Sequence, residues 1–339
     1  MIFGDKVFII SELSANHNND FELAKDTVHA MAEAGADCVK LQTYTADSLT
    51  IKANTKYFQP RDSGLWKGKT LYEIYEEASM PWEWQPQIME LAGKLGMMCF
   101  SSPFDLKAVD FLEELNTPAY KIASFEIQDI PLIEYVASKG KPVIISTGIA
   151  ELADIALAVE TCRNKGNDRI AILKCTSAYP TPMKEVNLNV IPHLQKIFGV
   201  EIGLSDHTMG STVAIGAVAL GAKIIEKHFI LDRSKGGVDS VFSMEPHEFK
   251  HMVDSVRDLE KALGSTTYHL TEKAKDSKTR GRSLFAIREI VKGEVFTHDN
   301  VKSIRPGAGL HPKELKLILG KNASCNIQKG EPLDFKMID

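Results

Sequence analysis

The sequence lacks the features that mark membrane, nucleic-acid-binding and dinucleotide-binding proteins. No apolar stretch approaches the roughly 18–20 residues of a membrane-spanning helix, and the net charge of −5 provides no basic surface for nucleic acid or an anionic membrane. The five cysteines are scattered without a C-x-x-C spacing, which is typical of reduced thiols in a cytoplasmic protein. No G-x-G-x-x-G follows the first strand-like run, as a dinucleotide-binding sheet would require. The N-terminus lacks the charged and apolar regions of a signal peptide, so we expect a cytoplasmic location.

What the sequence does contain is a series of short apolar runs that each end in polar residues. About eight such runs occur between Val7 and His228, the number that a closed barrel needs. Amphipathic helical patterns separate them, for example residues 21–34 before Gly35 and residues 84–95 before Gly96. The sequence therefore predicts an α/β fold, a (β/α)8 TIM barrel with its active site at the C-terminal strand ends. An open doubly wound sheet is the alternative.

The rest of the chain departs from this alternation. Residues 45–81 form an insertion that is too long for an ordinary βα loop and lies on the predicted active-site side, as a substrate-covering loop or small subdomain would. Residues 283–339 read as a small β-rich domain near the lower size limit for independent stability. We therefore expect a barrel domain over residues 1–265, a polar linker over 266–282 and a C-terminal domain over 283–339.

His207 and His228 end consecutive strand-like runs, so a barrel would place them side by side at one rim. Two imidazoles in that position could share one divalent metal ion such as Mn, Fe, Co or Zn. Glu12 and Asp239 could complete the coordination directly or through water. The alternative is that one histidine caps a helix while the other is satisfied in the core. Because both stand at matching strand ends, we favour the metal site.

Lys40 and Lys121 lie within strand ends that are otherwise apolar. Burying a lysine is costly unless it is paired, and two lysines that converge on one barrel mouth indicate an anionic ligand, a phosphate or a carboxylate. The alternative is that one or both pair with internal carboxylates such as Glu12 or Glu226. Hydroxyl residues at the same rim fit a phosphate cradle. They are Ser101, Ser102, Ser124, Ser146, Thr147, Thr176, Ser177 and Ser205.

Two other rim residues each have a functional and an ordinary interpretation. Glu126 follows Lys121 just past a strand end and is a candidate general acid or base, or else a solvated loop carboxylate. Tyr179 lies in a stiff Tyr-Pro-Thr-Pro turn, where it either faces a ligand or packs against the prolines. The residues alone leave both questions open.

Recognisable motifs are distributed over nearly the whole chain. They are Glu-Leu-Ser-Ala-Asn-His (12–17), Ala-Gly-Ala-Asp-x-Val-Lys-x-Gln-Thr (34–43), Ser-Ser-Pro-Phe (101–104), Tyr-Lys-Ile-Ala-Ser-x-Glu (120–126), Ser-Thr-Gly (146–148), Lys-Cys-Thr-Ser-x-Tyr-Pro (174–180), Gly-Leu-Ser-Asp-His (203–207) and Glu-Lys-His-Phe (226–229). Together they resemble the sialic acid synthase family. The tail, with Arg-Ser-Leu (282–284) and Arg-Pro-Gly (305–307), resembles the family's antifreeze-like (SAF) domain. Residues 64–84 and 303–312 look most like the pseudaminic acid synthase branch.

The resemblance implies a reaction. It is the condensation of phosphoenolpyruvate with an acetamido-hexose in its open-chain aldehyde form, giving a nonulosonic acid and phosphate. In the pseudaminic branch the acceptor is 2,4-diacetamido-2,4,6-trideoxy-L-altrose. The resemblance also implies a domain-swapped homodimer in which Arg305 from one subunit's SAF domain enters the partner's barrel, toward the acetamido group of the sugar. We expect small-molecule substrates as further partners, and neither nucleic acid nor membrane.

The resemblance also implies roles for individual residues. His207 and His228 would hold a divalent metal ion, Mn²⁺ first, with Mg²⁺ and Co²⁺ as alternatives. The expected catalytic residues are Glu126 as acid or base, Glu12, Lys121 and Asp239. The expected substrate-binding residues are Lys40, Gln42, Ser102, Ser124, Ser146, Ser177, Tyr179, Ser205 and Arg305.

Other functions remain as alternatives at this point. A sialic or legionaminic acid synthase would use the same mechanism on an acceptor that differs in stereochemistry and in the group at its far end. A metal-dependent barrel aldolase that does not use phosphoenolpyruvate is more distant. A carbohydrate-binding or ice-binding protein, as the tail alone suggests, would leave the polar strand ends without an explanation.

Overall fold

The computed structural model describes residues 4–60 and 67–339. Residues 61–66 of the insertion lie outside the described part, and with them Gly64, Leu65 and Trp66 of the segment that resembles the pseudaminic branch. The chain divides into two compact units, Met1–Gly264 and Ser265–Asp339, each with a hydrophobic core of its own. The finer domain boundaries, with a separate linker over 266–282, stay a prediction.

In the described part of the first unit, eight parallel strands close a barrel. They are β1 (Phe8–Glu12), β2 (Cys38–Thr43), β3 (Met98–Pro103), β4 (Tyr120–Ile122), β5 (Val143–Ser146), β6 (Ile170–Cys175), β7 (Glu201–Asp206) and β8 (Ile224–His228). Each strand pairs with the next along the chain, and β8 pairs with β1 in a register that sets Glu12 opposite His228. The predicted (β/α)8 TIM barrel is confirmed, and the open doubly wound sheet is excluded.

Helices connect the strands and surround the barrel. They are α1 (Phe21–Glu33), α2 (Ala46–Leu49), α3 (Leu71–Ala78), α4 (Gln85–Lys94), α5 (Leu106–Glu114), α6 (Ile130–Ser138), α7 (Leu152–Asn164), α8 (Val190–Phe198), α9 (Thr212–Ala219) and α10 (Pro246–Leu263). The Asp20 side chain accepts a hydrogen bond from the Leu23 amide and so starts α1. The helix ends before Gly35, whose φ of +86° favours a residue without Cβ. Helices α1 and α4 therefore occupy the two segments where the sequence predicts them.

Alternate strand residues point into the barrel and fill its lower part with a small apolar cluster. Its members are Phe8, Ile10, Cys38, Phe100, Ala119, Ile144, Ala171, Leu173 and Ile224. Gly203 takes an interior position because a Cβ there would lie 2.5 Å from the Ile224 carbonyl oxygen and 2.6 Å from Leu173 Cδ2. Polar interior residues are therefore confined to the C-terminal end of the strands, where the cluster stops.

The insertion between β2 and α4 contributes α2, α3 and a 3₁₀ turn, Trp82–Trp84, that leads into α4. The Trp82 indole donates from Nε1 to the Tyr44 carbonyl oxygen at 3.2 Å. The Trp84 ring centroid lies 5.2 Å from that of Phe21. Both tryptophans thus fasten the end of the insertion to the barrel wall.

The second unit contains α11 (Glu272–Lys278), β9 (Ser283–Ala286), β10 (Val301–Ile304) and α12 (Leu315–Ile318). Strands β9 and β10 pair antiparallel over a core that includes Leu284, Phe296 and Leu333. Helix α11 lies within the segment predicted to be a linker, and its side chains are mostly exposed. Among the residues described, no helix of either unit is long and apolar enough to cross a membrane.

Candidate active site

A cavity of about 600 Å³ opens at the C-terminal ends of the barrel strands. This is the end at which (β/α)8 barrels carry their active sites, and the volume suits small-molecule ligands. The predicted residues that line it are Glu12, Lys40, Gln42, Lys121, Ser124, Glu126, Ser146, Ser177, Tyr179, Ser205, His207, His228 and Asp239. Ser102 is buried in β3 opposite Gln42 and is not part of this lining. Arg305 belongs to the second unit, and its role stays a prediction.

Both interior lysines are paired with carboxylates beneath this cavity. Lys40 Nζ lies 2.8 Å from Glu12 Oε2 and 3.0 Å from Glu226 Oε2. Lys121 Nζ lies 3.4 Å from Glu226 Oε1. The sequence alternative of internal pairing therefore describes both lysines, although both still line the cavity. Glu226 also belongs to the site, although the sequence analysis considered it only as a partner for lysine. Ser205 Oγ donates a hydrogen bond to Glu226 Oε1 at 2.8 Å.

The surroundings shift the pKa values of the two lysines in opposite directions. Burial alone would lower the pKa of Lys40, but Glu12 and Glu226 outweigh it and raise that pKa well above its usual value. Burial lowers the pKa of Lys121. The carboxylates of Glu226 and Glu12 offset this only in part, and the charge on Lys40 adds to it. Lys121 is therefore the cation that gains more from an added anion, since a negative ligand would stabilise its charged form.

The two histidines meet at the β7–β8 end of the cavity. Their ring centroids are 5.4 Å apart. His207 Nδ1 lies 3.2 Å from the Thr176 carbonyl oxygen, an acceptor that favours the tautomer with its proton on Nδ1 and Nε2 open to a ligand. His228 Nε2 lies 3.2 Å from Glu12 Oε2, and its Nδ1 lies 3.8 Å from Asp239 Oδ2. Burial lowers the pKa of His228, which favours the neutral imidazole that binds metal ions.

These residues fit a divalent transition-metal ion. Two adjacent imidazoles with carboxylates beside them are a donor set that suits Mn, Fe, Co or Zn. The buried Nδ1 of His228 also finds no hydrogen-bond partner within the described ranges. No group of three or more His, Cys, Asp or Glu residues in the described part of the chain is arranged to hold an ion. The two imidazoles are the candidate protein ligands, and the carboxylates of Glu12 and Asp239 lie beside them.

Hydroxyl groups gather around Gly148, beside Cys175, whose Sγ lies 3.9 Å from His207 Nδ1. The Gly148 amide donates to Ser124 Oγ at 2.9 Å. A Cβ at Gly148 would lie 2.1 Å from Ser177 Oγ and 2.6 Å from Ser124 Oγ. Within residues 4–60 and 67–339, the buried Oγ atoms of Ser146 and Ser177 have no hydrogen-bond partner. Buried hydroxyls without partners are uncommon, so this group, here called the binding cradle, is a candidate site for a ligand.

Glu126 lies on a 3₁₀ turn, Ser124–Glu126, that follows β4. Burial raises its pKa to about 7, against the opposing effect of Lys121. Its Oε2 atom is buried and has no partner among the described residues. A carboxyl group that titrates near neutral pH at the edge of a cavity can take up or release a proton during turnover.

Two aromatic side chains cover the histidines. The Tyr179 ring centroid lies 4.4 Å from that of His207, and Phe242 lies 4.9 Å from His228 and 5.0 Å from Tyr179. Tyr179 therefore faces the cavity rather than only packing on its prolines. Sequence reasoning missed Phe242 and Gly148. Gly148 had a signal in its place directly after the strand-end pair Ser146-Thr147, but Phe242 lies in an irregular segment with no such signal.

Family models match most of the chain. The NeuB family model matches residues 27–268, and the SAF domain model matches residues 281–339. The first match begins within α1 and covers strands β2 to β8, and with them the predicted barrel site residues except Glu12, which lies on β1. The second spans nearly all of the second unit.

Curated proteins and solved structures give closer comparisons. The chain is 48% identical to a pseudaminic acid synthase from Campylobacter jejuni, over 98% of this chain and 97% of that protein. It is 47% identical to a pseudaminic acid synthase from Helicobacter pylori, over 98% and 97% of the two chains. A solved N-acetylneuraminic acid synthetase from Leptospira borgpetersenii is similar at a TM-score of 0.72 and 30% identity, covering 80% of this chain and 90% of that one.

Proposed function

Because the chain belongs to the NeuB family, we propose that it condenses phosphoenolpyruvate with 2,4-diacetamido-2,4,6-trideoxy-L-altrose to give pseudaminic acid and phosphate. The family membership expected from the sequence motifs is thereby confirmed. The identity to pseudaminic acid synthases, 47–48%, against 30% to the N-acetylneuraminic acid synthetase structure, supports the choice of acceptor. A sialic or legionaminic acid synthase is the alternative.

The observation that carries this proposal is the grouping of three kinds of side chain around one cavity. Hydroxyls with no hydrogen-bond partner among the residues described, a lysine whose charge is only partly offset by carboxylates, and two adjacent imidazoles all line it. One substrate that carries a phosphate and a carboxylate, together with a second that carries a carbonyl oxygen, would use all three. A barrel aldolase without phosphoenolpyruvate would leave the cradle without a ligand.

Phosphoenolpyruvate fits the cradle side of the cavity. Its phosphate and carboxylate would accept hydrogen bonds from the free hydroxyls of Ser146 and Ser177 and from Ser124. Lys121 would supply the positive charge. Lys40 is held by two carboxylates and would fix the geometry of Glu12 and Glu226. Ser205 and Gln42 would act through the same two carboxylates, since each donates to one of them.

His207 and His228 would hold the metal ion, for which we propose Mn²⁺, with Mg²⁺ or Co²⁺ as alternatives. When bound, such an ion polarises a carbonyl oxygen as a Lewis acid. Neighbouring residues hold the groups around the proposed metal site in position. The Thr176 carbonyl oxygen orients the ring of His207, and hydrogen bonds from Ser14 Oγ and the Ala15 amide fix Asp239.

Glu126 is the proposed acid or base of the condensation. A carbon–carbon bond forms between C3 of phosphoenolpyruvate and the sugar aldehyde carbon, water adds at C2, and the bond from C2 to the phosphate oxygen breaks. The added water loses one proton as it attacks and the other as the intermediate collapses; the aldehyde oxygen gains one and the departing phosphate the other. The proton lost on attack is the one that a general base must accept. A carboxyl group with a pKa of about 7 is balanced between accepting and donating that proton.

The remaining expectations belong to the same proposal. Arg305 of a partner subunit would reach the acetamido group of the sugar in a domain-swapped homodimer. The match of the tail to the SAF domain model supports this arrangement. We also propose that the protein works in the cytoplasm, where phosphoenolpyruvate is made and used.

The test is phosphate release from phosphoenolpyruvate by the purified protein with each acceptor in turn. We expect release with the diacetamido-trideoxy-altrose, little with N-acetylmannosamine or the legionaminic acid precursor, and none without a sugar. Activity with N-acetylmannosamine alone would refute the acceptor. The matched variant, His207→Ala with His228→Ala, should lose both activity and stoichiometric Mn²⁺ binding, and unchanged phosphate release would refute the metal site.

A further inference from the structure

The cavity has an apolar side that the proposed reaction leaves without a role. This part of the lining comes from the insertion and from the residues that directly follow β2 and β3. We call the residues Tyr44, Leu49, Leu71, Ile74, Ala78 and Phe104 the apolar wall. Four of the six have purely aliphatic side chains and offer no hydrogen-bonding group to a ligand.

The apolar wall is fixed in place rather than loosely packed. Ile74 and Ala78 are 5% and 6% exposed, and the rings of Tyr44 and Phe104 meet edge to face with centroids 5.2 Å apart. Helix α3 begins at a capping box between Thr70 and Glu73. Its last turn is tied to the loop after β1, because Asn19 Nδ2 donates to the Glu77 carbonyl oxygen at 3.1 Å. A surface held in this way can discriminate between ligands by shape and polarity.

We propose that the apolar wall binds the methyl end of the acceptor sugar and makes the chain select a 6-deoxy sugar over its 6-hydroxy counterpart. This inference rests on the proposed function, which puts the sugar's aldehyde carbon at the histidine side of the cavity. The far end of the open-chain sugar, carbon 6, then reaches the other side. Moving a methyl group out of water and onto the apolar wall is favourable. A hydroxyl group would lose its hydrogen bonds to water, and the four aliphatic side chains of the apolar wall could not replace them.

The expected selectivity has a definite size. A hydrophobic pocket discriminates against one added hydroxyl group by about 100-fold in kcat/KM. Acceptors that differ only in the group at carbon 6 should therefore show a ratio of about 100 with the wild-type protein. The methyl group contacts the apolar wall in ground state and transition state alike, so the difference should lie mainly in KM.

The test measures kcat/KM for such an acceptor pair in full-length variants. Ile74→Thr replaces a buried side chain of the apolar wall by a smaller β-branched one that carries a hydroxyl group. Ile51→Thr makes the same change in the same insertion, at a residue that is 57% exposed and outside the apolar wall. We expect the ratio to fall about 10-fold in Ile74→Thr and to stay unchanged in Ile51→Thr. Leu49→Asn at a half-buried position repeats the test should Ile74→Thr fold poorly.

The outcomes separate the two proposals. An unchanged ratio in folded Ile74→Thr and Leu49→Asn, or an equal loss on both acceptors, overturns the role of the apolar wall and leaves the condensation intact. If the wild-type protein instead used only N-acetylmannosamine, the proposed acceptor would be wrong. The apolar wall would then be judged on that sugar and its 6-deoxy analogue, and a preference for the 6-hydroxy form would overturn it.

Discussion

The charge state of single residues in this site depends on neighbouring charges that only the strand order of the barrel brings together. Lys40 stands on β2, yet its two carboxylate partners stand on β1 and β8, at the opposite ends of the barrel's chain order. The sequence supplied the residue types and their strand-end positions. It could not choose between an anion site and internal pairing, because that choice depends on barrel closure. Unpartnered hydroxyls and the close approach at Gly148 are likewise visible only in three dimensions.

Glu126 should govern the pH dependence of turnover. Burial raises its pKa from a usual 4.5 to about 7. We expect wild-type kcat to show a limb with an apparent pKa near 7, and Glu126→Gln to lose this limb together with about 100- to 10,000-fold in kcat. The measurement is the rate of phosphate release from pH 5 to 9. Glu114→Gln, at an exposed position on α5, is the control and should keep both limb and rate.

The same substitution should change stability in a pH-dependent direction. The folded chain holds the Glu126 proton more tightly than the unfolded chain, so this contribution to stability is complete below pH 4.5 and is lost as the pH rises through 7. Glu126→Gln removes the cost of ionising the buried group. The variant should therefore exceed the wild type in unfolding free energy above pH 7, by at most about 3 kcal/mol, with no such gain near pH 4. Urea unfolding at both pH values would show it, and an equal difference at both would contradict ionisation of the buried carboxyl group as the cause.

Gly148→Ala should damage the binding cradle without disturbing the fold elsewhere. The added methyl group would overlap Ser177 Oγ and Ser124 Oγ, so the hydroxyls must move away from their positions. We expect KM for phosphoenolpyruvate to rise about 10- to 100-fold, the effect of losing one or two charge-assisted hydrogen bonds. Gly93→Ala is the matched control, since it meets no atom within 4 Å in the exposed part of α4. That change should leave KM alone and raise stability by about 0.5–1 kcal/mol.

At the level of elements, β7 and β8 are joined on their outer face by a buried ion pair directly behind the histidines. Lys227 Nζ donates to Asp206 Oδ2 at 2.7 Å and to the Thr208 carbonyl oxygen at 2.5 Å. Asp206 Oδ1 accepts hydrogen bonds from the amide and the hydroxyl of Thr208. His207 and His228 follow the two residues of this ion pair in sequence, so the ion pair joins the two strands next to the histidines. The apolar periodicity predicted the strands themselves, but a charged pair on an outer face has no periodic signal.

Lys227→Met should destabilise the barrel strongly. It leaves the Asp206 carboxylate buried without its counter-ion, which costs about 3–5 kcal/mol of unfolding free energy. Lys250→Met removes a lysine from the exposed pair with Asp254 and should cost less than about 1 kcal/mol. Urea unfolding of the three proteins at one pH measures both differences. A loss of equal size in the two variants would show that the buried pair has no special weight.

At the scale of the whole molecule, a complete active site is proposed to need two chains. The tail unit has its own core of residues such as Leu284, Phe296 and Leu333, and it carries Arg305. The motifs of the sequence predicted both the barrel and the SAF domain. The exchange between subunits cannot be derived from hydrophobic patterning. The pattern specifies which residues each unit buries, but not whether the tail unit completes the active site of its own chain or of the partner.

Mixing two inactive variants should restore activity. Arg305→Ala leaves the barrel site residues intact, whereas His207→Ala with His228→Ala leaves the tail intact. In a swapped heterodimer, one of the two sites combines an intact barrel with an intact tail. After unfolding and refolding together, the mixture should recover activity on the order of a quarter of the wild type, as random pairing gives. Each variant refolded alone is the control, and a mixture no more active than the two controls would argue against the exchange.

The pairing of β1 with β8 also has a consequence for how the protein matures. Glu12 and His228 face each other across the line where the first and last strands of the barrel join. The site therefore does not exist in a nascent chain until more than two hundred residues have been made and the ring is shut. Ligands that bind across this line should stabilise the pairing of β1 with β8. They should therefore slow hydrogen exchange of the β1 and β8 amides more than that of the β4 and β5 amides. Catalytic competence thus reports that the barrel has closed.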